Sequence, residues 1–371
     1  MIKILIYAVR IVLNIIYAII KLFPMQNKVV LVSRQGNSES LDFKLIREEI
    51  AESHPDYKCV SLCKKIDAGV FGKLSYCGHL LKQMWHIGTS EIIITDSYCL
   101  SISLLRQRKN ARIFQIWHAL GALKKFGKSI AGNTGEGRNQ ALASAMNMHG
   151  NYTKVMISSE ACRDAFGEAF GYEGKNLFIG SLPRVDAIKS EAFMETAALK
   201  IKAEYPQLEQ RQVLLYAPTF RKGIDISKNI IDLNDAIDHN KYALIVKKHP
   251  LMSIDTPIVD AIIDNKFSTL EVLSVADVVI CDYSAVIYEA ALAKKKLVFY
   301  AFDIDTYGQR RDFYIDYLNE MPGHVCKTAD EVADVLMSEE FQPERVSEFA
   351  DKYVEITENC TEKLVREFYE K

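Results

Sequence analysis

Apolar positions follow two rhythms along this chain. The first 23 residues, MIKILIYAVRIVLNIIYAIIKLF, are almost continuously apolar. At roughly 100° per residue, Lys3, Arg10, Asn14, Tyr17 and Lys21 nonetheless share one sector about 60° wide. That seam predicts a helix lying in the plane of a membrane interface, its basic stripe (Lys3, Arg10, Lys21) toward lipid phosphates and its apolar side in the acyl region. A transmembrane span and a helix packed on the protein's own core are the competing readings. Pro24 closes this segment, residues 1–24, and no small-residue cleavage site precedes it. Its lysines put the body of the chain on the cytoplasmic side of the membrane.

After Pro24 the rhythm changes to short β-rich runs separated by helical stretches. VVLVS (29–33) is followed by an amphipathic segment over about 39–53, and KCVSLC, EIIITDS, RIFQIWH, KVMISS and LFIGS continue the series. A second series holds VLLYAPTF, YALIVKKHP, VVICDYS and KLVFYAFD, with a charged, helix-rich, hinge-like stretch over 186–212 before it. Alternation of this kind predicts parallel sheets covered by helices. The expectation is an α/β chain of two Rossmann-like domains, 25–190 and 191–371, facing a cleft. Ligands of open α/β sheets bind beyond the carboxyl ends of the strands. Polar residues collect at those ends: Asp96-Ser97, His118, Ser158-Ser159, Thr219, His249 and Asp282-Tyr283-Ser284.

Composition narrows the classes. A length of 371 residues suits two domains better than one. Lys+Arg 46 against Asp+Glu 48 leaves a net charge of −2, without the basic excess of a nucleic-acid binder. Eight scattered cysteines, with no CxxC and no His/Cys cluster, read as reduced thiols rather than as a zinc site. No carboxylate cluster marks a metal site, and no GxxxxGK[ST] loop marks a P-loop nucleotidase. The Gly-rich patch GNTGEGRNQ (132–140) reads equally as a cover for a site or as a solvated connection.

Candidate chemistry begins with RIFQIWHALGALKKFG (112–127), where a strand-like run ends in His118 and then Lys124-Lys125. A histidine titrating near neutrality can take a proton from a hydroxyl nucleophile, and a lysine nearby suits an anionic substrate. A structural strand-end histidine and a solvated helix start are the plainer alternatives. His249, held by Pro250 beside Lys247 and Lys248, can donate to a phosphate or leaving-group oxygen, or merely cap a strand. VVICDYSAVIYEAA brings Asp282 and Ser284 to a strand-to-helix junction that favours phosphate, with Glu289 deeper in the helix as a ribose acceptor. Ser284 as a simple cap and Glu289 as a surface charge remain open. Thr219 and Arg221 in YAPTFRKG, and Arg310-Arg311 in YGQRRDFY, are further phosphate candidates or ordinary surface groups.

In this order, the segments resemble the CDP-glycerol glycerophosphotransferase family of wall teichoic acid synthesis. Trp117-His118-Ala119 with Leu123-Lys124 is similar to its Trp-His-Gly signature and following Leu-Lys. Ala217-Pro218-Thr219, His249-Pro250, Asp282-Tyr283-Ser284-Ala285 with Glu289, Arg311-Asp312-Phe313-Tyr314 and Pro322-Gly323 match its later motifs. Ala119, Leu120-Gly121-Ala122, Ala285 and Asp312 depart from residues usual in the family. The resemblance implies a GT-B-like fold and a CDP-alditol donor held by Pro218, Thr219, Arg221, Lys247, Asp282, Ser284, Ala285, Glu289 and Arg311. It implies catalytic roles for His118 and His249, and acceptor or phosphate contacts from Lys124 and Gly121. The acceptor would be a polyprenyl-diphosphate-linked saccharide at the cytoplasmic face of the cell membrane. Neither a cofactor nor a nucleic-acid partner is implied, and a homo-oligomer is left open. Glycerol phosphate is the favoured group. CDP-ribitol and a nucleotide-sugar glycosyltransferase reaction are the alternatives.

Overall fold

The structure, a computed structural model, describes residues 2–67, 69–132, 139–221, 223–248, 258–310 and 312–370. Among them the chain forms two six-stranded sheets, parallel throughout, as the buried apolar runs predict. The first contains β1 (Gln26–Ser33), β2 (Lys58–Cys63), β3 (Ser90–Thr95), β4 (Arg112–Gln115), β5 (Lys154–Ile157) and β6 (Leu177–Ile179), in the order β2-β1-β3-β4-β5-β6. The second contains β7 (Gln212–Ala217), β8 (Tyr242–Lys247), β9 (Ala261–Asp264), β10 (Val278–Cys281), β11 (Lys296–Tyr300) and β12 (His324–Cys326), in the order β12-β11-β10-β7-β8-β9.

Each order reverses once. The chain leaves β1 for β2 and then returns to β1's other side with β3; likewise it leaves β7 for β8 and β9 and returns beside β7 with β10. Neighbouring loops diverge at such switch points and open a crevice at the strands' carboxyl ends. The β1/β3 and β7/β10 ends are therefore where a ligand is to be sought. Their strands are stiff and dry: Val29 to Val32, Ile92 to Ile94 and Val279 to Cys281 are completely buried.

The helix after β1, Leu41–Ser53, starts where the Ser40 hydroxyl accepts from the Phe43 amide, and it buries Phe43, Ile46 and Ile50. Two compact units result. One comprises 1–119, 125–184 and 355–371; the other comprises 120–124 and 185–354. The sequence boundaries 25–190 and 191–371 differ from this division in three ways, the first being that the border falls at 184/185 rather than 190/191. The C-terminal helix, Cys360–Tyr369, packs on Leu41–Ser53 within the first unit, with Phe368 against Phe114 of β4 and Tyr369 stacked on His54. Residues 120–124, embedded in first-unit sequence, belong to the second.

The N-terminal helix runs Ile2–Ile20. None of the helices in the described residues is long and apolar enough to cross a membrane. Its polar seam does not face outward, which corrects the expected orientation. Arg10 Nε donates to the Leu104 carbonyl at 3.1 Å, Asn14 Nδ2 to the same carbonyl at 3.1 Å, and Lys21 Nζ to the Arg106 carbonyl at 2.7 Å. The Tyr17 hydroxyl, on a fully buried ring, donates to Gln107 at 2.7 Å. The seam is satisfied by carbonyls at the end of the helix Leu100–Ser103 and beyond it, so the helix is moored by its polar side; Lys3 alone of the three basic residues is exposed.

Candidate functional site

In the first unit, His118 is placed by a sharp break after β4. The Gln115 side-chain oxygen accepts from the Trp117 amide at 2.9 Å, and Trp117 adopts a left-handed backbone, φ 58°. An aromatic residue is strained there by roughly 1–3 kcal/mol, and it persists only where its surroundings hold it. Trp117 is so held: its indole stacks on Phe126 at 4.9 Å and meets Phe170 edge-on at 5.3 Å. Gln115 is itself anchored by the Tyr152 hydroxyl at 3.0 Å, and Tyr152 lies 3.1 Å from His149 Nδ1. The reversal carries the His118 ring out of the strand and against the indole, 4.0 Å between centroids.

His118 Nδ1 lies 2.9 Å from the Asp96 carbonyl oxygen. A carbonyl only accepts, so Nδ1 carries a proton and the lone pair of the neutral ring is on Nε2. Gln35, 3.1 Å from the same Nδ1, is matched when its amide oxygen faces that N–H. Gln35 follows β1 and Asp96 follows β3, so the β1/β3 switch point orients the histidine.

The Asp96 side chain is buried there. Ser33 Oγ donates to its Oδ2 at 2.8 Å, while Oδ1 has no partner among the described residues. Burial pushes this carboxyl up to about 6, further raised by Asp42 and opposed by hydrogen bonds from Ser33 and Ser97 and by Arg184.

In the second unit, the β7/β10 switch point is held by one guanidinium. Arg221 donates bidentately to Asp303, Nε to Oδ2 at 2.7 Å and Nη2 to Oδ1 at 2.8 Å. Its Nη1 meets Asp282 Oδ2 at 2.8 Å and the Thr219 carbonyl at 2.8 Å. Phe302, Tyr283 and Tyr307 surround the cation, at 4.5, 5.4 and 5.6 Å from their centroids. Asp282 also accepts from the Thr219 and Tyr283 amides at 2.9 and 2.6 Å. Burial would raise the Asp303 carboxyl, but Arg221 and the Tyr283 hydroxyl more than offset it, and the net shift is downward. The strand-end loops after β7, β10 and β11 are thus clamped together.

The segment 120–124 docks onto this clamp. Lys124 forms an antiparallel bridge with Phe313, the Tyr314 amide donates to the Leu123 carbonyl at 3.1 Å, and Lys124 Nζ lies 3.3 Å from the Tyr307 hydroxyl. Gly121 has φ 61°, and a methyl group on it would overlap the Tyr288 ring.

With this geometry in view, the comparisons with known proteins become specific. The family model for CDP-Glycerol:Poly(glycerophosphate) glycerophosphotransferase matches residues 15–369. The chain belongs to this family. It is accordingly a phosphotransferase. A teichoic acid ribitol-phosphate primase of Bacillus spizizenii (strain ATCC 23059 / NRRL B-14472 / W23) is 30% identical over 359 residues, 94% of this chain and 92% of that protein. A teichoic acid glycerol-phosphate primase of Bacillus subtilis (strain 168) is 28% identical over 299 residues, 79% and 76% of the two chains. A structure of the wall teichoic acid polymerase TagF soaked with CDPG has the same fold, TM-score 0.76 at 18% identity, covering 99% of this chain and 96% of that one.

Apart from His118, the candidate ligand-binding residues singled out by sequence lie in the second unit's strand-end loops, in its framework or outside the described residues. Thr219, Ser284, Ala285, Glu289 and Lys124 gather in the second unit around the ends of β7 and β10 or the segment docked there. The Thr219 hydroxyl is buried without a partner among the described residues. Ser284 Oγ accepts from the Val286 amide at 3.4 Å, opening the seven-residue helix Val286–Leu292 that carries the buried Glu289.

Four residues have framework contacts where ligand contacts were expected. Arg221 is occupied by two carboxylates, and Asp282 holds loop amides and Arg221. Lys247 Nζ pairs with the buried Asp264 at 2.6 Å and also donates to the Phe267 carbonyl. Gly121 is required by Tyr288. Pro218, buried, ends β7 within the clamp. His249, Arg311 and most of the Gly-rich patch (133–138) lie outside the described residues. Sequence reasoning missed Gln35, Gln115 and Asp303 altogether; it marked Asp96 only as a polar strand end.

Proposed function

We propose that the enzyme moves an alditol phosphate from a CDP-alditol to a hydroxyl of a polyprenyl-diphosphate-linked teichoic acid precursor and releases CMP, working as a peripheral protein at the cytoplasmic face of the cell membrane. The observation that carries this reading is His118, pushed out of its strand by a strained tryptophan and tied through Nδ1 so that Nε2 is the basic nitrogen. Nε2 takes the acceptor hydroxyl's proton as that oxygen bonds to the β-phosphorus. The bond from the β-phosphorus to the bridging oxygen breaks, and its electron pair leaves with CMP. Proton removal by a positioned base contributes about 10²–10⁴ in rate, the remainder coming from orientation and charge stabilisation.

Thr219, Ser284 and Lys124 are assigned to the donor's diphosphate, and Glu289 to its ribose. The clamp of Arg221, Asp282 and Asp303 keeps the loops that carry them in register. His249 and Arg311 keep the charge-stabilising roles that the family resemblance gives them. Glycerol phosphate is the first group to test. The similarity to a ribitol-phosphate primase over nearly the full length of both chains favours CDP-ribitol as the second reading.

The test is CMP release from CDP-glycerol and CDP-ribitol, with and without a prenyl-diphosphate-linked disaccharide. Acceptor-dependent release with one donor, abolished in His118→Ala, is the expected outcome. Release that persists undiminished in the variant would remove His118 from the mechanism. No release from either donor would refute the donor assignment.

A further inference from the structure

One arginine of the first unit leaves empty the edge that others in this protein use. A guanidinium grips an oxyanion at two points through its Nε and Nη2 hydrogens, which project in parallel. Arg221 uses that edge on Asp303, Arg184 uses it on Asp42, and Arg47 uses it on Glu39. Arg34, the residue after β1, does not. Its Nε is buried without a partner among the described residues, its Nη2 donates to none of them, and none of their carboxylates pairs with it.

The residue is nevertheless fixed in place. The Arg34 amide donates to Ser97 Oγ at 3.1 Å, Nη1 donates to the Tyr98 carbonyl at 3.0 Å, and the guanidinium carbon lies 5.9 Å from the Tyr98 ring centroid. The same stretch after β3 orients the base: the Asp96 carbonyl faces His118 Nδ1, and Gln35, next to Arg34 in the chain, reaches the same nitrogen. Anchoring carbonyls two residues apart are separated by at most about 7 Å of chain. Imidazole and guanidinium are thus held from neighbouring points of one loop at the β1/β3 switch point, within one unit. An ordered cation with an open bidentate edge is complementary to a pair of phosphate oxygens, whereas a neutral hydroxyl would leave its charge unanswered.

We propose that Arg34 holds a phosphodiester of the acceptor beside the hydroxyl that His118 deprotonates, and so selects acceptors that already end in an alditol phosphate. This rests on the phosphotransfer reading above and adds to it the residue that reads the acceptor. The spacing decides which phosphate is meant. In a terminal alditol phosphate, only the alditol's short carbon chain separates the hydroxyl from the phosphorus, which suits anchors at most about 7 Å apart. In a bare diphosphate-linked disaccharide, sugar rings intervene between the outer hydroxyl and the diphosphate. No bond forms or breaks at Arg34; it orients the nucleophile's own chain while His118 takes the proton.

Acceptor kinetics test this. CMP release is measured with a prenyl-diphosphate-linked disaccharide, bare or capped with one glycerol phosphate, for wild type, Arg34→Gln and Arg34→Lys. In wild type, kcat/KM is expected to be at least about tenfold higher with the capped acceptor. Arg34→Gln should reduce that preference to within about twofold, mainly by raising KM for the capped acceptor. Arg34→Lys should keep part of the preference, as a charge without the fork. A preference that survives in Arg34→Gln, or none in wild type, would overturn the proposal. An equal loss with both acceptors would assign Arg34 to holding the loop after β3 and overturn it as well. If wild type releases no CMP from CDP-glycerol or CDP-ribitol, the phosphotransfer reading fails, and calorimetry with the capped disaccharide decides on Arg34 separately. Binding at least about tenfold weaker in Arg34→Gln would then support the phosphate contact, and equal or absent binding would overturn it.

Discussion

Asp96→Asn isolates the cost of a buried carboxylate beside the histidine. Burial is the largest influence on this group, and the carboxyl is raised from 3.8 to about 6. An acid that holds its proton more tightly in the folded state favours folding where it is protonated. That contribution is fully present below the unfolded value near 3.8 and is lost as pH rises through about 6. A shift of about two units corresponds to about 3 kcal/mol. Asparagine is neutral throughout, so the variant avoids the loss. It should match wild type to within about 1 kcal/mol near pH 4 and exceed it by up to about 3 kcal/mol at pH 7.5. The chain's two tryptophans, Trp85 and Trp117, both lie in the first unit, so tryptophan fluorescence reports this unit's unfolding without the other's. At roughly 2–4 °C per kcal/mol, the midpoint should rise by about 6–12 °C at pH 7.5 and the gain should fade as pH drops. A pH-independent difference, or a variant less stable than wild type at pH 7.5, would refute the reasoning.

Three other outcomes are expected. Gly121→Ala should cost about 2–4 kcal/mol, because it adds a left-handed penalty to overlap with Tyr288; near-UV circular dichroism, dominated in the second unit by tyrosines, would detect it, and wild-type stability would contradict the packing argument. Arg221→Met should destabilise the second unit by about 3–5 kcal/mol by leaving Asp282 and Asp303 buried without their cation, and Arg221→Lys should rescue it only partly because an ammonium cannot bridge both carboxylates; hydrogen exchange at β7 and β10 amides is the readout, and unaltered protection would show the clamp to be dispensable. His118→Gln should lower kcat about 10²–10⁴-fold while CDP-alditol affinity measured by calorimetry stays within about twofold, and a matching loss of affinity would recast the residue as a ligand contact.

Five strands, β1, β7, β8, β10 and β11, were legible as runs of four or more apolar residues that are buried on both faces, and five others as shorter runs between polar breaks. β9 and β12, short strands at the two edges of the second sheet, were not read from the sequence. The positions of His118, Thr219 and Ser284 could be read from strand ends, whereas the engagement of Arg221 could not. Its partner Asp303 is 82 residues away, and a cation after a strand looks the same whether it awaits a phosphate or already holds a carboxylate. Lys247 and Asp264 repeat that lesson across 17 residues. The N-terminal helix shows how far periodicity reaches. It located the polar seam on the helix correctly, but the acceptors that decide which way the seam turns are backbone carbonyls at 104 and 106, which no side-chain pattern announces.

The path of the chain also bears on how the protein is made. It changes unit at 119/120, 124/125, 184/185 and 354/355, so a single cut cannot release either unit intact. During synthesis, the first sheet's six strands emerge early, but the helix Cys360–Tyr369 that covers Phe114 and lies on Leu41–Ser53 leaves the ribosome only after the whole of 185–354. At about 5–20 residues per second, that interval is on the order of 10–40 s. For that time the first unit has its sheet without its last cover, and the nascent chain carries an exposed core edge where Phe368 will pack on Phe114.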